Sequence, residues 1–342
     1  MERNNYTAID IVKFICAILV IGIHTGPLLS INEGANFLLV QGLGRIAVPF
    51  FFTASSFFFF LKIDDQLPLS DQRNLIVLKR YLSRLLKLYL VWTILYFPLV
   101  ILQWFHGGFH WISVIRYFRD LFFTGSYYHL WFLPALMFAT FLVYWLLQKM
   151  RKKDLLLLSF LCYLLGMLVN VYGDFLLTLP IINGIVQWYL KVFVTTRNGL
   201  FFAFIFVVIG YFLAKKKRQI PIFHLRIGLF ITVFLYFIEV YFLQFIGYNH
   251  DLTCMYLMLI PLIYYLFVFL LCYQDHHNTK RLRSMSTLIY VGHLYVVEII
   301  ARVPFLHANS LLYFIVVTIG SILLSYLILW VSKKNRKVKV LY

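Results

Sequence analysis

Apolar runs close to the length of a membrane-crossing helix, about 20 residues, follow one another along this chain, separated by Lys/Arg clusters or polar turns. They fall at about 9–31, 37–61, 86–105, 129–148, 155–172, 198–214, 226–247, 253–273, 285–304 and 311–331. Runs of this kind predict helices, so the fold class is all-α, a polytopic membrane protein of about ten transmembrane helices. Two segments between runs are long enough for structure of their own: 106–128, with "WISVIRYFRDLFF", and 173–197, with "IINGIVQWYLKVF". Their patterning predicts amphipathic or re-entrant helices resting on the membrane surface. No soluble domain, low-complexity tract or repeat interrupts the series, so 1–342 reads as a single transmembrane domain.

Composition settles the solvent. Hydrophobic residues make up 62% of the chain and charged residues 13%, with a mean hydropathy of +0.85, which excludes a soluble globular domain. A net charge of +18 raises the question of a nucleic-acid partner, but the cations sit between apolar runs, where they anchor helix ends against headgroups. Nucleic acid is therefore not expected as a partner; membrane lipids are. One set of alternating connections holds Arg3, the 62–87 segment, "KMRKK", "KKKR" with Arg226, "KRLR" and the tail "KKNRKVK", whereas the other holds only Arg116, Arg119, Lys191 and Arg197. The positive-inside rule then predicts both termini in the cytoplasm of a multi-pass protein, with the bacterial plasma membrane as its expected location. The N-terminus has a signal-like outline, but Asp10, Lys13 and His24 interrupt it and no Ala-x-Ala-like site follows, so it is read as a retained first helix. Cys16, Cys162, Cys254 and Cys272 are scattered and imply neither a disulfide framework nor a zinc site. The "DHH" run at 275–277 has no matching ligand cluster, so no metal is expected.

The first run, "IDIVKFICAILVIGIHTG", carries an acid, a base and an imidazole. At 100° per residue Lys13 and His24 share one helical face to within about 20° and lie about 16 Å apart along the axis. Asp10 falls on nearly the same stripe. Ionisable groups are costly in hydrocarbon, so the stripe should face the bundle interior or an aqueous cavity. An ion pair between Asp10 and Lys13 is the plain alternative for those two.

Lys13, ten intervening residues and His24 match the Arg/Lys-x10-His pattern in the first helix of the acyltransferase-3 family, and the chain resembles that family over nearly its whole length. "GRIAVPFFFTASSFFFF" resembles its Arg-x-x-Val-Pro-x-Phe-Phe segment, with Arg45, Pro49, Phe50 and Phe51 in register; "KRYLSRLLKLYLVW", "HLWFLPAL", "RNGLFFAFIFVVIGYFL" and "STLIYVGH" follow in the family's order. The resemblance implies a membrane enzyme that acylates cell-surface carbohydrates or similar acceptors. Many members have Ser-Gly where this chain has Ser55-Ser56, which calls close helix packing there into question. "IHTGPLLS" is also similar to the membrane half of the vancomycin-resistance serine racemases, whose membrane domain is implied to handle free serine. Those proteins carry a soluble racemase domain after the membrane part, where this chain has its basic tail.

Acyl transfer from a thioester to a hydroxyl needs a base near neutral pH and positive charge or N–H donors where negative charge develops. His24 suits the base or a transient acyl carrier, with Lys13 and Asp10 as its charged companions and Arg45 as the acceptor-side or oxyanion cation. Acetyl-CoA is the expected donor and co-substrate. Arg80, Arg84 and Lys87, spaced i, i+4, i+7, form a stripe that suits its phosphates, and anchoring to anionic lipid explains the same stripe. Ser286, Tyr290 and His293 share a face of the ninth run, where Tyr290 and His293 are candidates for lining an acyl tunnel or binding acceptor. His129, Trp131 and Arg197 sit where a sugar could dock, since Trp offers a stacking face and Arg a fork of donors, and anchoring at the membrane interface is the plain alternative for Trp131. The expected activity is therefore transfer of an acyl, read as acetyl, group to a hydroxyl of an envelope polysaccharide or lipid-linked precursor, with homo-oligomerisation left open. Transport or binding of a small amino acid such as L-serine is the competing reading.

Overall fold

A computed structural model of the chain describes residues 6–215, 220–248, 253–273, 278–307 and 309–342. Arg3, most of the "KKKR" cluster and the "DHH" run lie outside the described residues. Among the described residues regular structure is helical: α1 Thr7–Thr25, α2 Glu33–Phe37, α3 Ala47–Phe60, α4 Gln72–His106, α5 Trp111–Phe123, α6 Phe132–Leu146, α7 Lys152–Leu177, α8 Pro180–Phe193, α9 Phe204–Lys215, α10 Ile222–Phe245, α11 Leu259–Leu271, α12 Lys280–Ile300, α13 Pro304–His307 and α14 Ser310–Lys334. The chain is built as two compact units, one of Met1–Phe51, Ile220–Val240 and Pro261–Tyr342, the other of Phe52–Gln219 and Tyr241–Ile260.

Every predicted run contains a helix, but the runs differ in span. Among the described residues six stretches are long and apolar enough to cross a membrane: Thr7–Thr25, Glu33–Phe60, Gln72–His106, Lys152–Leu177, Ile222–Phe245 and Ser310–Lys334. Phe132–Leu146, Gly199–Lys215 and Leu259–Leu271 are shorter apolar helices, and α12 begins with Lys280, Arg281 and Arg283.

In the first unit α1 and α14 both pack along α12 and touch each other. Two polar clamps fix this trio. Near one end the buried Asp10 carboxylate accepts from the Arg283 Nε and Nη2 at 3.0 and 2.9 Å and from the Thr279 hydroxyl at 2.7 Å. Near the other, Ser310 Oγ donates to the Pro27 carbonyl at 3.0 Å, and the Ser30 and Ser310 hydroxyls lie 2.8 Å apart. The run at 37–61 is not one continuous α-helix. Leu38–Gly42 widens to a π turn and Leu43–Ile46 tightens to a 3-10 turn before α3. Tyr236 donates to the Gly42 carbonyl at 2.7 Å, so an acceptor at the irregularity keeps a partner inside the bundle.

In the second unit α7 packs on α8, α9 and the π turn Gly199–Ala203, and α6 on α4 and α9. Close packing at Ser55-Ser56 is achieved from the opposite side: a Cβ on Gly210 of α9 would lie 2.0 Å from Ser56 Oγ and 2.7 Å from the Thr53 carbonyl. Buried Ser56 returns its hydroxyl to the Phe52 carbonyl at 2.9 Å. The question raised by the missing Ser-Gly glycine is thus answered by a glycine on the partner helix. The predicted run at 253–273 shortens to α11 because the backbone before it is held by side chains. Asn170 Oδ1 accepts from the N–H groups of Cys254 and Met255 at 3.0 and 3.1 Å, and Tyr163 donates to the Tyr256 carbonyl at 2.7 Å. With side chains bonding those groups, non-helical backbone persists within apolar surroundings. Segments 106–128 and 173–197 contain the helices α5 and α8, with Trp111, Ile115, Phe118 and Phe122 exposed along one and Ile181, Ile185 and Trp188 along the other.

Candidate functional site

The first unit brings predicted residues of α1 and α12 together. Because α1 is unbroken from Thr7 to Thr25, the Lys13–His24 register expected from spacing holds. The His24 and His293 rings stack at a centroid distance of 5.2 Å and an interplanar angle of 30°. His293 is 0% exposed, and its Nδ1 lies 2.9 Å from the Tyr290 carbonyl and 3.1 Å from that of Ile289. Carbonyls only accept, so Nδ1 carries the proton in the neutral ring and Nε2 the lone pair. Tyr290, one turn earlier, sets its ring edge-on to Phe51 at 5.5 Å. Asp10 meets Arg283, and His24 meets His293 farther along both helices, so α1 and α12 run parallel with contacts at two levels.

Arg45 lies in the 3-10 turn that follows the π turn. It is buried, and its Nε donates to Gln41 Oε1 at 2.7 Å, four residues earlier. The same turn rests on α1 beside Ile23, where a Cβ on Gly44 would lie 2.8 Å from Ile23 Cγ1. The irregular backbone therefore sets Gly44, the neighbour of Arg45, against Ile23, the neighbour of His24.

Asp10, expected among the catalytic groups, has both carboxylate oxygens engaged by Arg283, one of them also by Thr279, and it is 0% exposed. Its ion-pair partner is thus Arg283 on another helix, a residue that in the sequence reads only as loop charge in "KRLR". Gln41 was missed as well, because an amide in an apolar run gives no signal until the backbone turns it onto Arg45.

The second unit holds Trp131 and Arg197 together, with the guanidinium carbon 5.5 Å from the centre of the Trp131 ring. Both line a cavity of about 610 Å³. Arg116, Asn170, Tyr127 and Tyr128 share that lining. Gly125, at φ +86°, closes the loop ahead of Trp131 so tightly that a Cβ there would lie 2.5 Å from the Trp131 nitrogen. Tyr117 from α5 also faces the cavity, and its buried hydroxyl has no hydrogen-bond partner among the described residues. Burial, then the Tyr89 hydroxyl, push the Tyr117 phenol up to about 12, so it stays a neutral donor. His129 is buried beside the Tyr96 and Tyr127 rings. The aromatic run "SYYHLW" was the available sequence signal for this cavity, and only Trp131 and His129 were drawn from it.

Arg80, Arg84 and Lys87 lie exposed along α4, and their face continues into exposed Leu90 and Ile94. That continuity favours the headgroup-anchoring reading of the stripe. Among the described residues no group of three or more His, Cys, Asp or Glu could hold a metal ion.

The family model for the acyltransferase-3 group, described as an acyltransferase domain, matches residues 6–330. The chain belongs to the acyltransferase-3 family. As a family member with several long apolar helices, it is a multi-pass membrane protein. Curated relatives include two proteins named amino-acid racemase from Enterococcus faecalis, each 28% identical, covering 99% and 98% of this chain and 47% of each relative. A serine/alanine racemase from Enterococcus gallinarum is 29% identical over 92% of this chain and 45% of its own. The chain spans about half the length of the curated relatives it matches. No solved structure matches.

Proposed function

We propose that this acyltransferase-3 protein moves an acetyl group from cytoplasmic acetyl-CoA to a hydroxyl of an envelope glycan or lipid-linked precursor, as an O-acetyltransferase with about ten crossings and both termini cytoplasmic. The observation that carries the reading is the His24–His293 stack on parallel α1 and α12, with Lys13 on the His24 stripe. His24 takes the acceptor O–H proton as that oxygen attacks the thioester carbonyl; the C–S bond breaks and the thiolate leaves with the electron pair. His293 fixes the plane of the His24 ring. Lys13 supplies positive charge toward the donor, and Arg45, oriented by Gln41, stabilises the oxyanion. Asp10 acts by positioning, holding the register between the two helices through Arg283. Within the second unit, the 610 Å³ cavity is by its own lining suited to a sugar: Trp131, Tyr127 and Tyr128 offer stacking faces and Arg197 and Tyr117 offer donors.

A second reading is supported by the names of the relatives, an amino-acid racemase and a serine/alanine racemase. It makes the chain a binding or transport domain for a small amino acid, with Arg45 meeting the carboxylate. Purified protein incubated with acetyl-labelled acetyl-CoA and an envelope extract separates the two. The enzyme releases free thiol and labels a glycan or lipid fraction, and His24→Ala abolishes both. Thermal stabilisation by L-serine but not by coenzyme A, lost in Arg45→Ala, would refute acyl transfer.

A further inference from the structure

After α14 the chain turns back on itself. Asn335 leaves the helix extended, its side chain accepts from the Lys337 N–H at 3.0 Å, and a 3-10 helix, Arg336–Leu341, follows. The Tyr342 hydroxyl ends 2.9 Å from Ser332 Oγ. This fold-back encloses, with the first turns of α12, a cavity of about 510 Å³. Lys280, Arg281, Lys333, Arg336 and Lys339 line it, and no Asp or Glu side chain does among the described lining residues. The Arg281 guanidinium carbon lies 4.5 Å from the centre of the Tyr326 ring, a contact that fixes its plane and leaves its edge as a donor fork.

Two further observations say what enters. From the rim of the cavity α14 shows exposed Trp330, Leu327, Leu323 and Ile319, an apolar stripe of about 16 Å by helix rise along a helix apolar enough to cross a membrane. Ser284, in the lining from α12, is nine residues from His293 and so on the opposite face of that helix, which turns a ligand held here away from the histidine pair. A ligand with clustered negative charge at one end and a long apolar body at the other fits both features. We propose that this cavity binds the headgroup of an anionic phospholipid carrying two phosphates, with its acyl chains lying along the Trp330–Ile319 stripe. Five cations exceed what one phosphate can neutralise, and the fold-back gives them a concave shape that a simple interfacial anchor does not need.

The test is thermal stability and native mass spectrometry of the full chain in detergent, with cardiolipin, phosphatidylglycerol, phosphatidylcholine or coenzyme A added at matched phosphate. Cardiolipin should raise the melting temperature and remain bound in the gas phase, phosphatidylglycerol less so and phosphatidylcholine not at all. The triple variant Arg281→Gln/Arg336→Gln/Lys339→Gln should weaken cardiolipin binding on the order of 100-fold (about 3 kcal/mol, at about 1 kcal/mol per cation), while Lys152→Gln/Lys153→Gln should not. Ser284→Glu, which puts a carboxylate into the cavity, gives the same loss by an independent route if the triple variant folds poorly. Equal binding of phosphatidylglycerol, unchanged cardiolipin binding in both cavity variants, or coenzyme A binding that these variants abolish would each overturn the assignment.

Discussion

The two ends of the Asp10–Arg283 pair differ in burial, and the difference predicts unequal costs. Asp10 is 0% exposed, whereas the Arg283 side chain is 43% exposed. Removing the arginine with Arg283→Met strands a wholly buried carboxylate, for which breaking a buried pair typically costs about 3–5 kcal/mol. Asp10→Asn keeps an acceptor toward Thr279 and Arg283 and leaves a cation that already reaches solvent, so it should cost roughly 1–2 kcal/mol. The double variant should be more stable than Arg283→Met alone, giving a coupling energy of about 1–3 kcal/mol. Unfolding of the purified protein in mixed micelles with increasing sodium dodecyl sulfate measures all four corners of the cycle. The pair also sets the register that stacks His24 on His293, and a misplacement of about 1 Å is worth on the order of 10²-fold in rate, so acetyl transfer should fall in Arg283→Met beyond what the unfolded fraction explains. Equal costs at the two positions, or a double variant less stable than Arg283→Met, would refute the argument.

Acetyl transfer should drop by about 10²- to 10⁴-fold in His24→Ala with folding and insertion preserved, the usual worth of a general base; near-normal turnover removes His24 from that role. Gly210→Ala should destabilise by about 1–3 kcal/mol or more through overpacking, and Ser56→Gly should restore only part of it, because the Thr53 carbonyl would still lie 2.7 Å from the new Cβ; both are read from the same micellar unfolding curves. Asn170→Leu, which leaves two backbone N–H groups without their acceptor, should cost about 2–4 kcal/mol, whereas Asn170→Asp, which keeps the oxygen, should cost less. A cysteine replacing Lys152 should resist a membrane-impermeant thiol reagent in intact cells while one replacing Lys191, exposed on α8, labels; the reverse pattern would invert the orientation.

The helical class could be read from apolar runs because a bilayer imposes a minimum length on any crossing segment. Less legible was where those runs break. Nothing in "NFLLVQGLGRIAVPF" distinguishes a π turn followed by a 3-10 turn from a straight helix, since the acceptor's partner, Tyr236, arrives from nearly two hundred residues away. The 253–258 stretch misled for the same reason: it is as apolar as a helix, and only Asn170 and Tyr163 allow it to remain otherwise. At the site, the Lys13–His24 register was visible because both lie on one helix. The stack on His293 was not, because periodicity places residues on faces without saying which faces meet. Arg283 was hidden by its company in "KRLR", where loop charge accounts for every member. Trp131 and Arg197 were read as neighbours of a docking sugar, and the structure adds their mutual contact and the cavity around them.

Asn170 has a consequence for how the protein is made. Ribosomes deliver the chain from the N-terminus, so α7, with its lone amide acceptor, is synthesised before residues 254 and 255 that donate to it. Until that meeting occurs, the later segment has backbone donors with no place in lipid. It is expected to wait in the translocon or at the headgroup level and then enter against a preassembled surface. The order of synthesis thus acts as an assembly instruction: a circular permutant that emits 253–258 before α7 should insert poorly even though every contact of the finished fold is still available to it.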